Sequence, residues 1–110
     1  MEELERRLER FRFHQRLLAE SLGDIHAFTK LVILRDLSEE EVRGFFQLCD
    51  ELNKEMQEQK AEGFVYFHPL LKKWRENLNR KLDPEGTIHA CLLQGIYPEL
   101  MVELARIYHD

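Results

Sequence analysis

The sequence predicts an all-α protein of about five to six helices, in which a long N-terminal heptad-bearing helix packs on a compact helical bundle. Apolar residues recur at three- and four-residue spacing along most of the chain, which is typical of amphipathic helices. Capping residues and prolines precede these segments, and glycines follow several of them. At 110 residues, we expect one helical domain, residues 1–110, made of an oligomerisation helix at 1–22 and a bundle at 24–110.

The N-terminal segment carries a seam of residues with alternating four- and three-residue spacing. So narrow a stripe is typical of a helix that packs against another helix in a coiled coil. Gln15 is the one polar member, and such a residue can fix register and strand number. We therefore predict that copies of the chain assemble here as a dimer or trimer. The seam consists of Leu4, Leu8, Phe11, Gln15, Leu18, Leu22 and Ile25.

A short second segment follows the seam-bearing helix. Gly23 and Asp24 break the heptad pattern, and Asp24 is placed to cap a helix within residues 26–36. Several residues of this segment are β-branched, among them Val32 and Ile33. Because such residues favour strands, the sequence leaves both a helix and a strand open here.

A long third helix is expected to begin at Ser38. Ser38 and Glu41 have the spacing of a capping box, in which each side chain accepts a hydrogen bond from the other residue's backbone. The apolar stripe that follows ends near Gly63, which can adopt the left-handed conformation of a helix C-terminus. The third helix is therefore predicted from Ser38 to Gly63.

Three further helices are indicated by proline and cap signals. A fourth helix is predicted over 69–82, with a proline in its first turn. Asp83 and Pro84 repeat the same start, and Gly95 is placed to end that fifth helix. Pro98 then opens the sixth helix, so the helix count rests on these start and stop residues.

Bulk composition excludes several classes of protein. The net charge is −5, which disfavours non-specific nucleic-acid binding, because such binding neutralises phosphates with cations. No apolar run approaches the ~20 residues of a membrane span, and the first ten residues are too charged for a signal peptide. We therefore expect a cytoplasmic protein with no membrane contact. Cys49 and Cys91 are then expected as buried free thiols.

Neither catalytic, cofactor-binding nor metal-binding residues are predicted from motifs. The five histidines are never three or four residues apart, so no helical turn presents a histidine pair to a metal. Glycine-rich phosphate-binding motifs are absent from the sequence. The alternative is an enzyme or metal protein whose site forms at a subunit interface. Its candidate members are His68, Asp83, His89 and Cys91.

The predicted helix 69–82 is basic, with Lys72, Lys73 and Arg75 beside aromatic Trp74. Cations interleaved with aromatic residues are typical of single-strand binding surfaces, so weak nucleic-acid binding is a third hypothesis. Trp74 also lies in register with the apolar stripe, which favours the core instead. The flanking segments are acidic and can pair with these cations, so we expect nucleic-acid binding to be unlikely.

Five sequence strings carry a family resemblance: LSEEEV, CDEL, QKAEGFV, LNRKLDPEGTI and QGIYPELM. In this order they resemble the YhaI-like family of uncharacterised proteins from Bacillus-type bacteria, over residues 37–104. The resemblance implies an all-helical cytosolic protein with no assigned activity, and it supplies no functional residues. Together with the seam, it favours a homo-oligomeric binding or assembly module without chemistry of its own, which could also bind another protein.

Overall fold

The computed structural model of the protein describes residues 1–63 and 65–109. Within these ranges it contains six α-helices and one short 3-10 helix, and no strand, so the all-α prediction is confirmed. None of the described helices combines the length and the apolar character needed to cross a membrane. The elements are α1 (Glu2–Glu20), the 3-10 helix (Asp24–His26), α2 (Ala27–Leu34), α3 (Glu39–Ala61), α4 (His68–Asn77), α5 (Pro84–Gln94) and α6 (Pro98–Tyr108).

The predicted helix boundaries at Ser38 and Gly95 are confirmed by their hydrogen bonds and backbone angles. The Ser38 hydroxyl accepts from the Glu41 backbone N–H at 3.0 Å, and the Glu41 carboxylate accepts from the Ser38 N–H at 3.0 Å. Asp83 caps α5 by accepting from the Gly86 N–H at 2.6 Å. Gly95, with φ +78°, adopts the left-handed conformation that ends α5.

Helix α2 is capped by a side chain from a distant part of the chain. The segment is helical, so its alternative prediction as a strand is wrong. Asp24 does not cap α2, contrary to the expectation: the N-cap position is His26, which forms no side-chain capping bond. Instead, the Gln94 side-chain oxygen accepts from the backbone N–H groups of Phe28, at 2.8 Å, and Thr29, at 3.0 Å. These two bonds satisfy donors that the helix start leaves free and tie α2 to the end of α5.

Helix α4 is shorter than the predicted helix 69–82, because it ends at Asn77. The Asn77 amide donates to the Lys73 carbonyl, and the Asn79 side-chain oxygen accepts from the Lys81 N–H. Such side-chain bonds to the backbone compete with helical hydrogen bonds. Leu78, placed in the helix by the prediction, has extended backbone geometry and is nevertheless buried.

The hydrophobic core lies among α3, α4, α5 and α6, with one aromatic residue from α2. That residue, Phe28, stacks on Phe45 at 4.5 Å between ring centroids. Trp74 is fully buried, and its indole N–H donates to the Pro84 carbonyl at 3.1 Å, so its assignment to the core is confirmed. The core residues are Phe28, Phe45, Cys49, Leu52, Met56, Phe67, Leu70, Leu71, Trp74, Leu78, Leu82, Ile88, Ala90, Cys91, Leu100, Met101 and Leu104.

Helix α1 contributes almost nothing to this core. Its one buried residue is Ala19, near its C-terminal end, and its main contact is with α2. The molecule measures 61 by 25 by 20 Å, and its radius of gyration is 16.8 Å. A compact domain of this length has a radius of gyration of about 13 Å. The molecule is therefore elongated, with α1, about 28 Å long, attached at one end to a helical body formed by α2 to α6.

Glu41 links the start of α3 to the loop that follows α4. Besides its bond to Ser38, its carboxylate accepts from the Lys81 ammonium at 2.8 Å and from the Asn79 amide at 2.7 Å. These hydrogen bonds lower the Glu41 pKa from 4.5 to about 2, and the bond from Lys81 has the largest effect. The charged carboxylate therefore stabilises the fold at neutral pH.

This pKa predicts an acid-dependent stability difference for Glu41→Gln. Because the folded-state pKa lies below 4.5, the contribution of the carboxylate is complete above that pH and is lost as the pH falls toward about 2. The wild type should therefore be more stable than Glu41→Gln near neutral pH, and the difference should shrink on acidification. Denaturant unfolding across this pH range measures it. The exposed neighbour Glu40 provides the control Glu40→Gln, and an equal pH dependence for both variants would contradict the assignment.

A candidate assembly surface on helix α1

The apolar seam residues of α1 lie on one helical face and are not covered by the rest of the chain. Leu4 is 58% exposed, Leu8 46%, Phe11 64% and Leu18 65%. Gln15, between the last two, is also exposed. A monomeric protein rarely leaves a continuous row of large apolar side chains in water, and such rows are typical of interaction surfaces.

The last two residues of the predicted seam lie beyond the end of α1. The predicted helix 1–22 ends at Glu20 instead, where the Ser21 hydroxyl donates to the Leu18 carbonyl at 2.7 Å. Leu22 is half-buried in the following turn, and Ile25 lies in the 3-10 helix with 70% of its surface exposed. The continuous helical part of the seam therefore runs from Leu4 to Leu18.

Two exposed aromatic and aliphatic residues of α1 were absent from the predicted seam. Phe13 is 53% exposed and Leu17 48%, and both lie on the side of the helix away from the seam. Their spacing of four residues places them on one face of the helix, but they do not fall on the heptad positions of the seam. Because they resemble seam residues in size and exposure, they provide matched control positions.

A sequence profile described as "Protein of unknown function (DUF1878)" matches residues 1–109 of the chain. The chain belongs to the DUF1878 family. The match includes α1 as well as the helical body, so the seam-bearing helix is part of the region that the profile describes. The family description names no activity.

The four residues of the alternative site in this DUF1878 chain fall at different places. Asp83 and His89 line the same cavity of about 440 Å³. His68 lines a different groove. Cys91 is fully buried, and burial raises the pKa of its thiol to about 12. Among the residues that the structure describes, no group of three or more His, Cys, Asp or Glu side chains is placed to hold a metal ion.

Both cysteines are free and buried, as predicted. Desolvation raises the pKa of Cys49, and the nearby Cys91 raises it further. A thiol with so high a pKa stays protonated at neutral pH, whereas the thiolate is the nucleophile and the metal ligand. These residues therefore contribute packing to the core.

Two lysines of the basic residues 69–82 form ion pairs with glutamates of α3. The Lys73 ammonium lies 2.9 Å from the Glu55 carboxylate, and that of Lys81 lies 2.8 Å from Glu41. Arg75 stacks over a Tyr108 ring at 4.6 Å and donates to its hydroxyl at 3.0 Å. These interactions reduce the number of cations that can follow a nucleic-acid backbone.

We predict that this DUF1878 chain does not bind single-stranded RNA or DNA near physiological salt. Each phosphate contact adds about one unit to the logarithmic salt dependence. Two of the five cations in residues 69–82 are paired with acids of α3 and Glu76 offsets a third, so the remaining net charge of about +2 gives weak binding that salt abolishes. Fluorescence anisotropy with labelled oligonucleotides at about 150 mM salt measures this. Micromolar binding that disappears in a folded Lys72→Glu, Lys73→Glu variant would reverse the prediction.

Proposed function

We propose that this chain is a cytoplasmic homo-oligomeric assembly module without catalytic activity, whose copies associate through the seam of α1. Residues 1–22 form its assembly segment, and residues 24–110 form the helical domain that this segment joins together. One observation supports the proposal: four large apolar side chains on one face of α1 are about half exposed or more in the single chain. They are Leu4, Leu8, Phe11 and Leu18. We also propose, from the five strings that resemble the YhaI-like proteins of Bacillus-type bacteria, that the chain is related to that group.

The physical argument starts from the stability of α1 itself. Most helical stability in proteins comes from packing of an apolar face rather than from the intrinsic helix propensity of the residues. Helix α1 has 19 residues but only one of them, Ala19, is buried. A partner that covers the seam supplies the packing that the chain itself does not provide.

A second copy of the chain is the partner that the seam itself favours. A heptad stripe is complementary to another heptad stripe, because the side chains of each helix fit into the spaces of the other. The same surface on two copies also gives a closed symmetric assembly. No additional protein is needed for the seam to be buried.

Sedimentation equilibrium of the full chain over a wide concentration range tests the proposal. Self-association predicts masses that approach two or three times the chain mass of 13.3 kDa as the concentration rises. A mass of 13.3 kDa at every concentration up to about 100 µM, where even weak specific dimers form, would contradict it.

Gln15 is expected to lower stability while restricting the number of subunits. A polar residue at a seam position costs stability relative to an apolar one, and it limits the arrangements in which its amide is hydrogen-bonded or hydrated. Gln15→Leu should therefore raise the melting temperature at fixed concentration, change the subunit number, or both. Calorimetry and sedimentation on the same samples measure the two effects. A variant unchanged in both would remove this role from Gln15.

A second candidate function is that of an enzyme or metal protein whose site is assembled at a subunit interface, beside one cavity of the helical body. Asp83, Glu85, His89 and His109 line this cavity. The described residues of one chain place no three such side chains to hold a metal ion, so a second copy would have to supply a ligand. Carboxylates and imidazoles are common metal ligands. A metal assay on the untagged protein tests this function. Stoichiometric metal, together with a melting temperature lowered by chelator, would support it; metal-free protein with an unchanged melting temperature would exclude it under those conditions.

A further inference from the structure

We infer that two copies pair through α1 in antiparallel orientation; this inference rests on the proposed assembly through the seam. The charges of α1 are unevenly distributed along its length. Residues 2–9 contain four glutamates and two arginines, whereas residues 10–20 contain three arginines and one glutamate. The two halves therefore carry net charges of −2 and +2. Antiparallel pairing places each half beside the half of opposite charge, and parallel pairing places like charges together.

The residues that flank the seam point to the same orientation. Glu5 and Arg12 flank the seam on one side, and Arg7 flanks it on the other. In a parallel pair, opposite flanks meet, so Arg7 of each copy approaches Arg12 of the other. In an antiparallel pair, the side of the seam that carries Glu5 and Arg12 in one copy faces the same side of the seam in the other copy. Glu5 of each copy can then face Arg12 of the other, which gives two attractive pairs instead of two repulsive ones.

One antiparallel register pairs the opposite charges and also keeps the contact within the length of α1. It places Leu8 opposite Phe11 and Leu4 opposite Gln15, and it brings Glu5 to Arg12. The overlap then ends at Leu18, just before the part of α1 that packs on its own body. The tip of each helix therefore stops where the other body begins. A shift by one heptad toward longer overlap would instead place Arg12 beside its own counterpart.

Spin labels at three positions on the outer face of α1 test the orientation. Glu2→Cys, Glu9→Cys and Arg16→Cys lie one heptad apart and are exposed, whereas both natural cysteines are fully buried. In the proposed register, position 9 lies beside its own counterpart. Positions 2 and 16 are offset from theirs by about 20 Å along the axis, at about 1.5 Å per residue. Pulsed electron-spin distances on samples of verified oligomer mass should therefore be short at position 9 and clearly longer at 2 and 16.

The possible results separate this inference from the proposal on which it rests. Three equal short distances in an oligomer would overturn the antiparallel orientation while leaving assembly through the seam intact. Monomeric mass and no distance between copies would overturn both. The matched control is the unsubstituted chain treated with the same label, which should take up none because its two cysteines are fully buried.

Reversing the charge of Arg12 provides an independent test, because the two orientations predict opposite changes in the dissociation constant. In the antiparallel pair, Arg12→Glu replaces attraction to Glu5 with repulsion, so the dissociation constant should rise about threefold to tenfold. In a parallel pair the same variant replaces repulsion from Arg7 with attraction, so association should tighten. Combining Arg12→Glu with Glu5→Arg should restore wild-type association in the antiparallel pair. Tighter association of the single variant would overturn the inference.

Discussion

A chain with Leu8→Asp and Leu18→Asp together should be monomeric at concentrations where the wild type is associated. Both side chains are about half exposed or more in the single chain, and we propose that a second copy covers them. Full burial of a leucine side chain contributes about 1.5–3 kcal/mol, and a carboxylate at a buried position costs several kcal/mol more. Each substitution occurs once in every copy. The dissociation constant should therefore rise by at least about 100-fold, which light scattering or sedimentation measures as a fall to 13.3 kDa.

The matched control for this variant carries Phe13→Asp and Leu17→Asp. These side chains have similar exposure, 53% and 48%, but lie on the side of α1 away from the seam. The control has the same added charge on the same helix, so it separates the position of the carboxylates from their number. It should retain the wild-type mass. Unchanged mass in Leu8→Asp, Leu18→Asp would show that these seam residues do not hold the copies together.

Trp74→Ala should cause one of the largest losses of folding stability among alanine substitutions in the helical body. Trp74 is fully buried, and its indole N–H satisfies the Pro84 carbonyl. Removing a buried large aromatic side chain leaves a cavity and typically costs about 3–5 kcal/mol. The unpartnered carbonyl adds to that loss. Denaturant unfolding at fixed protein concentration measures the free-energy difference.

Lys72→Ala is the matched control for Trp74→Ala because Lys72 lies on the same helix and is exposed. Its effect on the free energy of unfolding should be within about 0.5 kcal/mol. A loss below about 1 kcal/mol for Trp74→Ala would be inconsistent with the packing described for the core.

The sequence predicts this fold best where a structural feature depends on neighbouring residues. The capping box at Ser38 and the left-handed Gly95 both arise from local geometry, so their signals are visible in a few letters. The cap of α2 is different, because Gln94 reaches it from another helix. No local pattern predicts that contact. The sequence predicts a longer α4 than the structure shows because apolar spacing continues through Leu78, although the backbone there is extended.

The candidate site shows the same division between local and tertiary information. The heptad spacing predicted which residues of α1 share a face, and their exposure shows that the chain itself leaves this face uncovered. The spacing could not predict that the helix ends at Glu20, since the seam pattern runs on through Leu22. The pairs between Lys73 and Glu55, and between Lys81 and Glu41, also depend on how α3 and the following segment pack together.

Hydrogen exchange of the α1 backbone at low and high protein concentration tests the central claim most directly. If a second copy covers the seam, amides within residues 2–20 should exchange more slowly as the concentration rises from about 1 to 100 µM, because association stabilises the helix by mass action. Amides of the helical core, in residues 84–108, provide the internal reference and should change much less. Slower exchange confined to α1 is the result we predict. Exchange in α1 that is independent of concentration, in a sample whose mass stays at 13.3 kDa, would contradict assembly through the seam.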